Sequence, residues 1–169
     1  MDVKLKEIIW RQFGAAIDML ENAINACPDN IWGNKPGYYE IWYITFHVLF
    51  WLDLYLSDSP DGFMPPEPFS LTELDPEGLL PERVYSKEEL LIYLNHGRNK
   101  CRSKINEMTE EKAGQRFIFG TLNLSIAELL LYNMRHVQHH AAQLNLILRQ
   151  KINSAPRWVR YTSLELSKK

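Results

Sequence analysis

Cysteine is scarce in this chain. There are two in 169 residues, Cys27 and Cys101, far apart and in no metal-ligand spacing, so neither a disulfide framework nor a cysteine-based zinc module can be built from them. Each falls on an expected apolar helix face, where a free thiol behaves as a small hydrophobe. The expected home is a reducing cytoplasm. An excess of one charge is also lacking. The formal net charge is −2, with no basic stripe or long like-charge block, so nucleic acid is not an expected partner. The closing Lys168-Lys169 is too short to act as a basic tail. A membrane-spanning run is missing too. The most apolar stretch, Ile41 to Leu56, carries His47 and Asp53 and falls short of the ~20 residues a span needs. The opening Met1-Asp2-Val3-Lys4-Leu5-Lys6 leads into an amphipathic pattern, not into a signal-peptide core with a small-residue cleavage site. There is no internal repeat and no low-complexity tract. The length suits one domain, residues 1–169, with a full core.

Periodicity predicts four long helices. The first runs from about Val3 to Ala26, where Ile9, Phe13, Ala16, Ile17, Leu20 and Ile24 form one apolar stripe. Pro28, Gly33, Pro36 and Gly37 break the chain after it. The second runs from about Tyr39 to Ser57 and is apolar on nearly every side, through Trp42, Ile44, Phe46, Val48, Leu49, Phe50, Trp51 and Leu52. Such a helix is buried on several faces, or turns one face to another subunit, and the surplus of aromatics predicts a homodimer. Residues 57–85 then hold six of the nine prolines, an irregular connection long enough to span parallel neighbours.

The third helix opens with a capping box, Ser86 with Glu89, and sets Leu90, Leu94, Gly97, Cys101 and Met108 along a bundle seam. Gly114 and Gly120 bracket Phe117-Ile118-Phe119, a short extended piece or turn. The fourth helix has its own capping box, Ser125 with Glu128, and runs to about Gln150 with Ile126, Leu129, Leu130, Val137, Leu144 and Ile147 buried. A tail over 151–169 follows, with Trp158 expected to pack back on the bundle. The fold class is therefore all-α, a four-helix bundle with a long Pro-rich crossover between helices 2 and 3. Two short connections flank the crossover, so the middle helices are expected to run parallel.

The chemistry-bearing segment is His136-Val137-Gln138-His139-His140. Side chains four apart share a helix face, and neutral imidazole is the commonest side-chain ligand for zinc, nickel or copper. At ~100° per residue, His140 falls inside the apolar stripe near Asn133, His136 at its edge about 40° away, and His139 on the polar flank beside Arg135. His136 and His140 are the candidate pair, and His139 is a surface residue or one that touches a ligand from outside. A histidine on an apolar face is commonly a hydrogen-bonded core residue, and that reading stands beside ligation here. Two buried imidazoles side by side need every nitrogen satisfied and would repel if both were protonated; a cation answers both needs. His47, on the most hydrophobic helix, is the candidate third arm. Glu40, two turns earlier, and Tyr43, one turn earlier, are the candidate proton-handling groups, although a carboxylate at Glu40 also suits a helix N-terminus. Asn133 and Gln143 flank the pair as candidates to orient imidazole or water. His96 has no partner at ligand spacing and is expected to be partly exposed.

One histidine on the second helix and an H-x3-H pair on the fourth resemble the DinB/YfiT-like family of metalloenzymes. The likeness extends to Pro28–Leu56, PDNIWGNKPGYYEIWYITFHVLFWLDLYL, and to Ser125–Leu148, SIAELLLYNMRHVQHHAAQLNLIL, and covers the chain in helix order and loop lengths. The resemblance implies an up-down-down-up four-helix bundle with one divalent metal, zinc or nickel, held by His47, His136 and His140. It also implies a small-molecule substrate, frequent dimers and, in some relatives, a low-molecular-weight thiol such as bacillithiol or mycothiol as co-substrate in transfer or isomerisation. The activity it implies is a metal-dependent S-transferase or, with water as nucleophile, a hydrolase. A bundle whose metal only stabilises, or that binds none, is the alternative of a different class.

Overall fold

The computed structural model describes residues 2–167; Met1 and Lys168-Lys169 lie outside the described residues. The chain is predominantly helical. Four long helices, α1 (Val3–Ala26), α3 (Ile41–Tyr55), α4 (Lys87–Asn106) and α6 (Ile126–Ile152), are joined by segments holding two short helices, α2 (Asp29–Trp32) and α5 (Glu110–Gly114), and a hairpin of β1 (Arg116–Phe119) and β2 (Leu122–Ser125). The long helices pack in a ring: α1 lies on α4 and α6, and α3 lies on the same two.

Local chemistry explains the boundaries. At both Ser86 and Ser125 the hydroxyl accepts the backbone N–H of a glutamate three residues on, and that glutamate accepts the serine N–H in return, satisfying two donors that a helix start otherwise leaves open. Asn153 closes α6 in the left-handed conformation at φ 52°, which asparagine tolerates better than most residues. The extended piece expected around Phe117 is half of a hairpin. Phe119 pairs with Leu122, leaving Gly120-Thr121 as a two-residue turn whose Gly120 has φ 56°, the positive φ that a tight hairpin turn requires.

Because α3 is apolar on nearly every side, it needs cover on most of its surface, and the chain itself supplies it. Trp42, Phe46, Phe50 and Leu52 are fully buried. The connection between α3 and α4 lays Phe63 edge-on against Phe50 and stacks Phe69 on Phe46. Tyr85 packs on Trp42 and Phe46, and the hairpin brings Phe119 to Trp51 and Phe117 to Tyr55. Indole N–H groups in these layers find carbonyls: Trp42 donates to Lys35 and Trp32 to Tyr85, both at 3.0 Å. The connection, residues 57–85, carries a single 3-10 turn at Thr72–Leu74.

One charge is buried in this layer. Asp53 of α3 is 1% exposed and accepts hydrogen bonds from the Tyr93 hydroxyl at 3.1 Å and Lys100 Nζ at 2.5 Å, with His96 Nε2 at 3.4 Å. These come from one face of α4, so the carboxylate pins α3 to α4. Gly97 lies on that face, and a methyl group there would meet the Leu52 side chain at 2.8 Å, so the helices approach more closely than alanine allows.

The tail corrects an expectation. Trp158 does not pack back into the bundle; it is 67% exposed. The anchors are smaller and lie further along. Thr162 fits against Gly14 and its N–H donates to the Arg11 carbonyl at 3.0 Å. Trp10 Nε1 donates to Leu164 at 2.7 Å, Arg102 Nε to Leu166 at 2.7 Å, and Leu166 is buried. Backbone carbonyls captured by α1 and α4 hold the tail, so its large aromatic is left free. Both cysteines are buried and unbridged, and burial raises both thiols, Cys27 to about 11. Among the described residues no helix is long and apolar enough to cross a membrane.

Removing Lys100 leaves Asp53 buried with one cation fewer. Lys100→Met is expected to cost about 3 kcal/mol, read as a lower urea midpoint with an unchanged denaturant slope.

Candidate metal centre

Three histidines far apart in sequence meet between α3 and α6. His47 sits in the middle of α3, where the helix is otherwise apolar, and His136 and His140 lie one turn apart on the face of α6 that packs on it. One ring nitrogen from each lies within 4.8 Å of the others. The ring centroids are 4.5 Å apart for His136 and His140, 4.9 Å for His47 and His140, and 5.4 Å for His47 and His136. Among the described residues this is the group of histidine, cysteine, aspartate and glutamate side chains able to hold a metal ion.

The outer nitrogens of two rings are occupied. His47 Nδ1 lies 2.6 Å from Glu73 Oε2, and His140 Nδ1 lies 2.7 Å from Gln143 Oε1. Both partners are acceptors, so each Nδ1 carries the proton and each Nε2 presents a lone pair inward. His140 Nε2 and His136 Nε2 are 3.1 Å apart. A proton on one of them or a shared cation prevents two lone pairs from facing each other across that distance. His136 Nδ1 is buried without a partner among the described residues. The donor set fits a divalent metal of the zinc or nickel type: three neutral imidazoles, outer N–H groups held by a carboxylate and an amide, and coordination positions left over for other ligands.

Burial and mutual repulsion keep the pair neutral. Desolvation, reinforced by the neighbouring imidazoles, lowers His136 to about 3. Desolvation with the His47 charge lowers His140 to about 4, partly opposed by the bond to Gln143. Burial on its own would raise the Glu73 carboxyl. The hydrogen bonds from His47 and Trp51, with the Tyr43 hydroxyl nearby, outweigh that and hold it below its usual range, so it is an anion at neutral pH.

Glu73 has no counterpart among the residues expected from the sequence. It lies in the 3-10 turn of the connection, its side chain 4% exposed, and it accepts Trp51 Nε1 at 2.9 Å as well as the His47 proton. In the sequence it is one of several acidic residues in a Pro-rich stretch, and nothing in its spacing singles it out. Tyr43 lines the cavity at the cluster, its hydroxyl turned to Glu73. Glu40 is at the N-cap position of α3 and folds against the Gly33–Gly37 loop, where a methyl group on Gly33 would meet its carboxylate at 2.5 Å. It is not among the residues lining that cavity. Gln143 orients His140, whereas Asn133 is fully buried and donates to the Leu52 carbonyl at 3.1 Å, a tie between α6 and α3. His139 is exposed and meets Gln143 at 3.1 Å, outside the ligand group. His96 is 45% exposed and faces Asp53.

The cluster separates two cavities. One, of about 470 Å³, is lined by Tyr38, Tyr39, Tyr43, Ile44 and His47 on one side and by His140, Gln143, Leu146 and Ile147 on the other. The other, of about 720 Å³, lies between α1, α6 and the tail and is reached by His136, Arg135 and Trp158.

In comparison with known proteins, residues 12–144 match the DinB superfamily. No curated protein and no solved structure matches the chain.

The lowered histidines set the sign of a pH dependence. In the unfolded chain they take up protons near their ordinary value of 6.5, whereas in the folded, metal-free chain they wait until about 3 and about 4. The unfolded state therefore binds more protons between those limits, and stability falls as pH drops through that window. The melting temperature of metal-free protein is expected to decline from pH 7 to pH 4.5, with a shallower decline in His136→Gln; parallel profiles would contradict the assignment.

Proposed function

This chain belongs to the DinB superfamily, and from that premise we propose that it is a divalent-metal-dependent enzyme catalysing thiol S-transfer to a small molecule, with His47, His136 and His140 as ligands of zinc or nickel. The observation that carries the reading is the convergence of three imidazole nitrogens, two of them held in one tautomer by Glu73 and Gln143. A bound divalent cation would supply Lewis acidity, favouring the deprotonated form of a thiol or water. The chain's own part is to aim the ligand lone pairs, keep His136 and His140 unprotonated and shield the site. Tyr43 is raised far above its ordinary value by burial and by Glu73, so in this reading it donates a proton or hydrogen bond and does not act as a base. Glu40 is the second proton-handling group and reaches the cavity by leaving the Gly33–Gly37 loop.

The fold part of the reading is an up-down-down-up bundle with residues 57–85 as the crossover. Its support is the order of the contacts. Lys6 with Asn106, Asp18 with Arg98 and Cys27 with Lys87 run in opposite senses along α1 and α4. Trp42 with Tyr85, Asp53 with Tyr93 and Asp58 with Lys104 climb together along α3 and α4. His47 with His140 and Tyr55 with Tyr132 run oppositely along α3 and α6. A reducing cytoplasm is the proposed setting, in keeping with two unbridged cysteines. A homodimer is proposed as well; its surface is sought away from the α3 aromatics that the chain itself covers, and light scattering at micromolar concentration reads it.

A non-catalytic reading is favoured by one observation: the cluster bridges α3, α6 and, through Glu73, the long connection, as a stabilising metal would. Chelation separates the two. A large drop in melting temperature with no turnover of thiol and electrophile supports the structural role, and with water as the nucleophile the same centre is a hydrolase.

Protein purified without added metal is expected to hold about one divalent ion per chain by elemental analysis, and His140→Ala to lose it; full retention by that variant removes the ligand assignment. Glu73→Gln is expected to keep the fold and weaken metal affinity by about 10- to 100-fold, measured by competition with a chromophoric chelator.

A further inference from the structure

The tyrosine-lined cavity beside His47 and His140 has, inside its mouth, a wall whose polar groups are largely engaged within the chain. The Tyr38 hydroxyl donates to the Gly78 carbonyl, and the Tyr43 hydroxyl lies near Glu73. Gln143 uses its oxygen on His140 and its nitrogen on His139. What remains toward the space is the ring surface of Tyr38 and Tyr43, which meet edge to face at 5.4 Å, and the side chains of Ile44, Leu146 and Ile147. No Lys, Arg, Asp or Glu is among the lining residues. Tyr39 at 94% exposure and Leu146 at 56% mark the mouth. Past the exposed Tyr39 at the mouth, the polar feature a ligand meets at the inner end is the inward nitrogens of His47 and His140. Away from the metal-binding head, an anionic or strongly polar body would lose its hydration and find no charged partner in the lining, whereas an apolar body gains by burial.

The cavity on the far side of the cluster differs. Arg135 lies in its wall with Gln12 and Gln138, and no acidic residue is among the lining residues. An anion has a countercharge there and none on the tyrosine side.

We propose that the tyrosine-lined cavity selects an uncharged substrate with an aromatic or alkyl body, which approaches the three-histidine centre from the α3 side between Tyr39 and Leu146. The proposal rests on the metal-centre reading and adds to it the class of molecule and its side of entry. About 470 Å³ lies within the range of small-molecule sites, enough for a ring system beside the cluster.

The test uses cobalt(II)-loaded protein and three probes with the same metal-binding head: imidazole, 4-phenylimidazole and imidazole-4-acetate. The visible cobalt spectrum reads binding without any need for turnover. The phenyl ring is expected to tighten binding about tenfold or more over imidazole, by apolar area removed from water. Leu146→Glu and Tyr39→Ala are expected to reduce that advantage and leave imidazole itself unaffected. Equal affinity for imidazole and 4-phenylimidazole overturns the proposal while leaving the metal centre intact. So does tightest binding of imidazole-4-acetate that is lost in Arg135→Gln, which places the ligand in the opposite cavity. Absence of any cobalt spectrum removes the metal centre and the proposal together.

Discussion

An α-helix that is apolar on nearly every side must be covered on most of them, and α3 imposes that demand on the rest of the chain. Two of its sides are covered by α4 and α6. The others are covered by the long connection through Phe63 and Phe69, and by the hairpin through Phe117 and Phe119. The connection is therefore tied down by its aromatic residues despite having almost no regular structure. Because it is held against α3, its 3-10 turn delivers Glu73 to His47 and Trp51. The positioning of the metal-centre carboxylate is thus a consequence of covering a hydrophobic helix.

The same burial governs the polar groups. A polar side chain inside an apolar layer is tolerated only with partners; on α3 Thr45 bonds back to its own helix, and Asp53 and His47, on different faces, need partners from elsewhere. Asp53 is satisfied by Tyr93, Lys100 and His96 and acts as a strut between α3 and α4. His47 is satisfied on one nitrogen by Glu73, and its other nitrogen turns toward two further imidazoles. The first arrangement is closed. The second keeps inward lone pairs that nothing in the chain fully answers, which makes it able to hold a metal ion. Burial also keeps His136 and His140 neutral, the state in which imidazole coordinates a metal.

Where the sequence was hard to read, the cause is physical. The H-x3-H pair was legible because helical periodicity is a local property, and the wheel separated His139 from His136 and His140 without knowledge of the fold. Glu73 was not legible, because an acidic residue in a loop has no periodicity and its burial depends on where aromatic residues of the same loop dock. Trp158 misled for a related reason. Its size suggested burial, but the tail is held by backbone carbonyls of Leu164 and Leu166 and by the fit of Thr162 to Gly14, and backbone bonding leaves little trace in side-chain pattern. The strand after Gly120 escaped because four residues of moderate hydrophobicity pair only once the turn brings them back on β1.

Sequence by itself determined the four long helices, their capping boxes, the buried stripe of each and the three histidines able to bind metal. Each of these follows from spacing along one element and from local hydrogen-bond chemistry. Tertiary structure alone decided which nitrogen of His47 faces inward, which carboxylate holds it, and that the cluster stands between an uncharged cavity and one bearing Arg135. Those facts depend on contacts such as His47 with Glu73 and His47 with His140, 26 and 93 positions apart, and such distances are set by how the connection and the helices pack, not by any local preference.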